Sequence, residues 1–101
     1  MKPLRQVRIS RRAAAQVQRQ AAWWEANRPA AAGAVAEDFG EAVKLLARQP
    51  GVGAKYEGSR TPGVRRLYLG RLGYFIYYKA DLRTLWILAF WSAVREKQPA
   101  T

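Results

Sequence analysis

The sequence predicts an α+β domain in the order β-α-α-β-β-β, a helical hairpin packed on one face of a small, largely antiparallel sheet. Two observations carry this expectation. The first half is rich in alanine and glutamine, with apolar residues at helical spacing. The second half holds three strand-length apolar and aromatic runs separated by short turns. A chain of 101 residues can bury one core but not a second, so residues 1–101 read as one domain.

Each element has a local reason. Leu4 to Ile9 alternates in part, with Val7 and Ile9 on one face, and predicts a short strand. Ser10 is a good N-cap, because its hydroxyl can accept from an unpaired N–H of the first turn. From Arg11 the chain favours helix, with Ala14, Val17, Ala21 and Trp24 on its apolar face. Asn27-Arg28-Pro29 ends that helix, since a residue before proline is pushed out of the α region. Pro29 is placed to open a second helix, whose Val35, Phe39, Val43 and Leu46 form an amphipathic stripe. Glu37, Asp38 and Glu41 lie towards its start and Lys44 and Arg48 towards its end, which suits the helix dipole.

Gln49 to Gly53 stops the second helix, and the glycine- and proline-punctuated run 51–63 reads as a loop. Three strands follow, Val64 to Leu69, Tyr74 to Ala80 and Arg83 to Trp91. The turns between them, Gly70 to Gly73 and Asp81-Leu82, are short enough to imply an antiparallel meander. Residues 93–101 read as a flexible, frayed tail.

Composition narrows the chemistry. Eighteen Lys and Arg against seven Asp and Glu give a net charge of +11 and a pI near 10.9, which calls for an anionic partner. With no His and no Cys there is no Ser-His-Asp triad, thiolate nucleophile, disulfide or ordinary zinc site. Ser59 and Ser92 have no histidine to activate them, and Gly51-x-Gly53 lacks the strand and third glycine of a dinucleotide fingerprint. Glu37, Asp38 and Glu41 are explained by helix electrostatics. No apolar stretch approaches a membrane span, the longest run being Leu85 to Trp91. The expectation is a cytoplasmic protein with no cofactor, no metal and no membrane partner.

Two features of the strand half invite a binding role. The last strand is apolar on both faces, with Leu85, Ile87, Ala89 and Trp91 expected on one and Trp86, Leu88 and Phe90 on the other. Either its second face is shielded by the loop or tail, or it is a groove for a partner chain. Arg65, Arg66, Arg71, Lys79 and Arg83 also alternate with Tyr68, Tyr74, Tyr77 and Tyr78. Such interleaving suits phosphate binding and base stacking, and equally suits tyrosines packed in a sheet beside snorkelling arginines.

The runs Gln49-Pro50-Gly51-Val52-Gly53, Gly63 to Gly70, Gly73-Tyr74-x-Ile76-x-Tyr78 and Ile87-Leu88-Ala89-x-Trp91 with Arg95 resemble, in order and spacing, the RelE/ParE superfamily of toxins. The likeness covers roughly residues 4–96. It implies a toxin of a type II toxin-antitoxin module, forming a hetero-oligomer with a cognate antitoxin that lays an acidic, partly disordered segment across it. Trp86, Leu88, Phe90 and Tyr74 are the residues expected to receive that segment.

The RelE branch cuts mRNA on the ribosome, and the ParE branch poisons DNA gyrase without chemistry of its own. Phe75 stands where the RNA-cutting branch has an arginine, and no tyrosine follows Trp91. Both departures point to the ParE branch. The surface expected to meet gyrase is Arg65, Arg66, Arg71, Trp91 and Arg95, with no catalytic residue. On the endoribonuclease alternative, Arg66, Lys79 and Arg95 would stabilise the phosphate transition state. A basic nucleic-acid-binding module with no toxicity is the third reading.

Overall fold

A computed structural model describes residues 4–94 and 99–101. The elements are β1 (Gln6–Ile9), α1 (Arg11–Asn27), α2 (Ala34–Arg48), β2 (Ala54–Lys55), β3 (Arg65–Leu69), β4 (Tyr74–Ala80) and β5 (Thr84–Ser92). Short 3-10 turns occupy Pro29–Ala31 and Pro50–Val52. The five strands form one sheet in the order β1-β5-β4-β3-β2. β1 pairs parallel with β5, and the other neighbours pair antiparallel. Both helices pack on the same face of this sheet, as the sequence predicts.

Ser10 caps α1, its hydroxyl oxygen accepting from the Ala13 N–H at 3.0 Å. Val17, Ala21 and Trp24 pack into the core, while the fully buried alanine at the start of that stripe is Ala13. Pro29 opens a 3-10 turn rather than α2, which starts five residues later at Ala34. The reason is geometric, because the chain must reverse before an antiparallel helix can begin. The α2 stripe behaves as predicted, with Val35 and Leu46 fully buried and Phe39 and Val43 packed against them.

Two further differences concern irregular segments. Within the expected loop, Ala54 and Lys55 form a two-residue strand on Arg66 and Arg65, too short to show any period in sequence. Pro99–Thr101 are held rather than frayed: the Arg12 guanidinium donates to the Ala100 carbonyl and the Thr61 hydroxyl to the Thr101 carbonyl.

The register of β5 changes where its side chains go. Tyr77 faces Ala89 while Tyr78 faces Ile87, so Leu88 has no partner on β4 and forms a β-bulge. The bulge reverses the alternation. Leu85, Ile87 and Phe90 lie under the helices, and Trp86, Ala89 and Trp91 face the other way, which corrects the regular alternation expected from sequence. Phe90 stacks on Tyr74 at 4.8 Å between ring centres and meets Phe39 edge-on at 5.7 Å.

The opposite face has its own small core of Val64, Tyr77 and Ala89, flanked by Tyr56, Phe75, Leu88 and Trp91. The loop that leads from Tyr56 to Val64 thus shields the centre of this face and leaves its margins open.

Candidate functional site

Strand pairing arranges the open face in three rows. Tyr68 lies opposite Phe75, and Phe75 opposite Trp91. Arg66 lies opposite Tyr77, and Tyr77 opposite Ala89. Lys79 lies opposite Trp86, and Trp86 opposite Arg8 of β1. Paired residues in a sheet share a face, so register alone brings these cations and rings together.

The centre is an arginine among rings. The Arg66 guanidinium carbon lies 4.2 Å from the centre of the Phe75 ring, 5.2 Å from Tyr56 and 6.0 Å from Tyr77. Its N–H also donates to the Tyr77 hydroxyl at 3.3 Å. Tyr56 meets Tyr77 edge-on at 5.0 Å, and Tyr68 tilts against Phe75 at 5.2 Å. One row away, Lys79 Nζ sits 5.3 Å from the Trp86 ring. Cations at such distances gain about 0.5–2 kcal/mol from the ring quadrupole and are held in place by it.

Tyr78 supports this face from behind. Its hydroxyl donates to the Pro50 carbonyl at 2.7 Å and accepts from the Gly53 N–H at 2.9 Å. It thereby fixes the segment leading to β2 and Tyr56. Burial pushes its pKa above the ordinary tyrosine value, outweighing the opposing pull of the Gly53 bond and of Arg65.

The strands differ from the helices in charge. The five strands carry Arg8, Lys55, Arg65, Arg66 and Lys79 and no carboxylate. Among the described residues the acids are Glu25, Glu37, Asp38 and Glu41 on the helices, Glu57 in the loop and Asp81 at the β4–β5 turn.

The residues singled out in sequence divide accordingly. Arg66, Lys79, Trp86 and Trp91 share the open face. Arg65 faces the other way and donates to the Gly53 carbonyl at 2.7 Å. Arg71 sits in the β3–β4 turn, paired with Asp38 at 3.0 Å. Arg95 lies outside the described residues. Leu88 is the bulge residue and packs on the small second core.

Tyr74 and Phe90 are buried beneath the helices and do not belong to the open face, which corrects their grouping with Trp86 and Leu88. The Tyr74 hydroxyl is spent on Gln20, to which it donates at 2.6 Å, and accepts from the Trp24 indole at 3.3 Å. Sequence reasoning missed Tyr56 and Arg8 as members of the face. Tyr56 lies in a loop with no period, and Arg8 joins only through long-range parallel pairing.

The helical hairpin behind a basic, aromatic sheet face is a fold shared with a known class of toxin, as comparison with known proteins shows. The family model for the ParE toxin of the type II toxin-antitoxin system, parDE, matches residues 7–96, and the chain belongs to that family. Among solved structures it is similar to one titled as the chromosomal ParDE toxin-antitoxin system from P. aeruginosa. The two share a TM-score of 0.71 and 26% sequence identity, over 88% of this chain and 96% of that one. No curated protein gave a match. An antitoxin is the partner that membership of this family implies. Among the described residues no helix is long and apolar enough to cross a membrane.

Proposed function

We propose that this toxin arrests growth in the cytoplasm by binding DNA gyrase, and that its antitoxin neutralises it by laying an acidic segment over the basic face. The observation that carries the reading is Phe75. On the open face, where the RNA-cutting branch of the superfamily has an arginine, this chain has a ring that seats Arg66. The face therefore offers cations fixed on aromatic supports, which suits tight binding more than proton transfer.

Arg66 and Trp91 form the centre of the proposed gyrase contact; Arg71, held towards α2 by Asp38, stands apart from it, and Arg95 lies beyond the described residues. Arg65 supports the fold through Gly53. Trp86 and Leu88 remain the residues proposed to meet the antitoxin. An acidic segment there would be drawn by the charge of +11 and would cover the half-buried rings.

The test is supercoiling by purified gyrase at rising toxin concentration, scored for inhibition and for cleaved DNA. Inhibition by the wild type, with Arg66→Ala at least tenfold weaker at unchanged circular dichroism, is the expected result. Equal potency of the variant would move the contact off this face.

The endoribonuclease reading keeps one observation in its favour, that Arg66 and Lys79 share the face. It takes over if folded toxin leaves gyrase untouched at micromolar concentration while mRNA on translating ribosomes acquires new ends.

A further inference from the structure

We propose that the margin of the open face, from Arg66 through Lys79 and Trp86 to Arg8, is a binding site for single-stranded DNA. Three observations converge on it. First, the five strands contribute cations and no carboxylate, and the Glu57 carboxylate belongs to the covering loop beside Tyr56 rather than to the margin. Second, its cations are spread along a path. Lys79 and Arg8 flank Trp86 on the two neighbouring strands, which sets their backbones about 10 Å apart, and Arg66 lies one row and one strand further on. Such spacing follows a chain of phosphates rather than one isolated anion.

Third, the cations are interleaved with rings that are accessible. Trp86 is only half-buried, with Lys79 Nζ 5.3 Å from its ring centre, and Tyr68, 54% exposed, lies one row beyond Arg66 on the side away from Lys79. A flat ring between two cations is what an unpaired base requires: stacking for the base and positive charge for its flanking phosphates. The Arg66 guanidinium, lying against Phe75, adds a second planar cation. Duplex DNA hides its bases from such rings, so the geometry selects a single strand. A purely acidic peptide such as oligoglutamate, with no apolar or aromatic side chains of its own, would satisfy the charges but would leave the aromatic platforms without a planar partner.

The choice of DNA over RNA rests on the gyrase reading, since that enzyme's substrate is DNA. The face itself does not depend on it. A toxin that grips both the enzyme and a strand of its substrate would hold the two together. An antitoxin segment covering Trp86 would then release both.

The experiment is fluorescence anisotropy of the purified full chain with a labelled thymidine oligonucleotide of about 12 nucleotides. An abasic strand, a uridine strand of equal length and an oligoglutamate peptide serve as comparisons. With three phosphate contacts, log affinity should fall against log salt with a slope of about −2. Lys79→Gln and Arg8→Gln should each weaken binding several-fold and lower that slope by about 0.7. Trp86→Ala should cost at least about fivefold, and Trp86→Phe should restore most of the loss.

Arg8 is exposed at the sheet edge, so its variant reads binding without disturbing the core. Arg48→Gln at the end of α2 is the control for general charge. Equal weakening by Arg48→Gln, equal affinity for the abasic strand, or tighter binding of oligoglutamate or of the uridine strand would each overturn the proposal. Gyrase inhibition without strand binding would overturn this site alone. Strand binding without gyrase inhibition would overturn the target and leave the site standing.

Discussion

Tyr78 and Gly53 form a single device at the level of individual residues. The tyrosine is buried at the middle of the sheet, yet its hydroxyl satisfies two backbone groups of the segment after α2. Tyr78→Phe should cost about 1–3 kcal/mol, because a buried N–H and C=O lose their partner while the ring stays. Denaturant unfolding checks this. Gly53 is required for a different reason: a Cβ there would meet the Tyr78 hydroxyl and come within 2.8 Å of the Arg66 carbonyl. Gly53→Ala should therefore disturb both the segment and the adjoining open face, and show itself as weaker gyrase inhibition alongside a lower melting temperature.

Two titrations bound the stable range of pH. Tyr78 has its pKa raised in the fold, so the stability it confers is complete below the ordinary value of 10.0 and is lost as pH climbs through the raised value. Asp81 behaves oppositely. Its carboxylate accepts from the Arg83 and Thr84 N–H groups, both at 2.8 Å, and these bonds hold its pKa below the ordinary 3.8. The stability from Asp81 is present above that value and lost as pH falls through and below it. Thermal melts between about pH 5 and pH 3 should show a smaller acid loss in Asp81→Asn, which keeps an acceptor oxygen but does not titrate.

At the level of elements, the junction of β1, α1 and β5 decides how the sheet is dressed. Ser10 accepts from Ala13 to cap α1 and donates to the Leu88 carbonyl at 3.2 Å, catching the backbone of the bulge. Gln16 accepts from the Phe90 N–H at 2.8 Å, where β5 runs beyond the end of β1. Ser10→Ala should thus exceed an ordinary cap loss of about 1 kcal/mol, since a second bond goes with it. The bulge also separates neighbours that sequence grouped together. Phe90→Ala should cost about 3–5 kcal/mol as a core cavity, and Trp86→Ala less than half of that. Similar losses at both sites in urea titrations would contradict the bulged register.

The helices and β4 were legible because their periods are long and regular, and β4 runs Tyr74–Ala80 as predicted. The two-residue β2 and the bulge were not. A strand of two residues has no period, and a bulge appears only when a strand is laid against its partner.

For the molecule as a whole, the helices are near neutral, with five cations beside four acids, and the net positive charge is carried elsewhere, the strands included. Most of the described acids sit on the helices or in turns, and the strands carry only cations. The Arg71–Asp38 pair is largely exposed at the arginine and contributes at most about 1 kcal/mol, too little to offset the repulsion of a +11 chain. The isolated toxin should therefore melt at a higher temperature as salt rises to about 0.15 M, through screening of its own repulsion. Binding to an acidic antitoxin should weaken over the same range. A melting temperature indifferent to salt would mean that the basic residues are not close enough to repel.

Sequence by itself determined the fold class, the helical hairpin, the meander and the basic character of the chain, because periodicity, capping and net charge are local or additive properties. It also carried the family likeness, which lies in the order of short motifs. Tertiary structure alone decided which face each ring occupies. One unpaired residue, Leu88, sends Phe90 into the core and turns Trp91 outward. Long-range pairing sets Arg8 beside Trp86, and the loop delivers Tyr56 to Arg66. A surface site depends on the registry of strands distant in sequence, and no window of residues along the chain contains that registry.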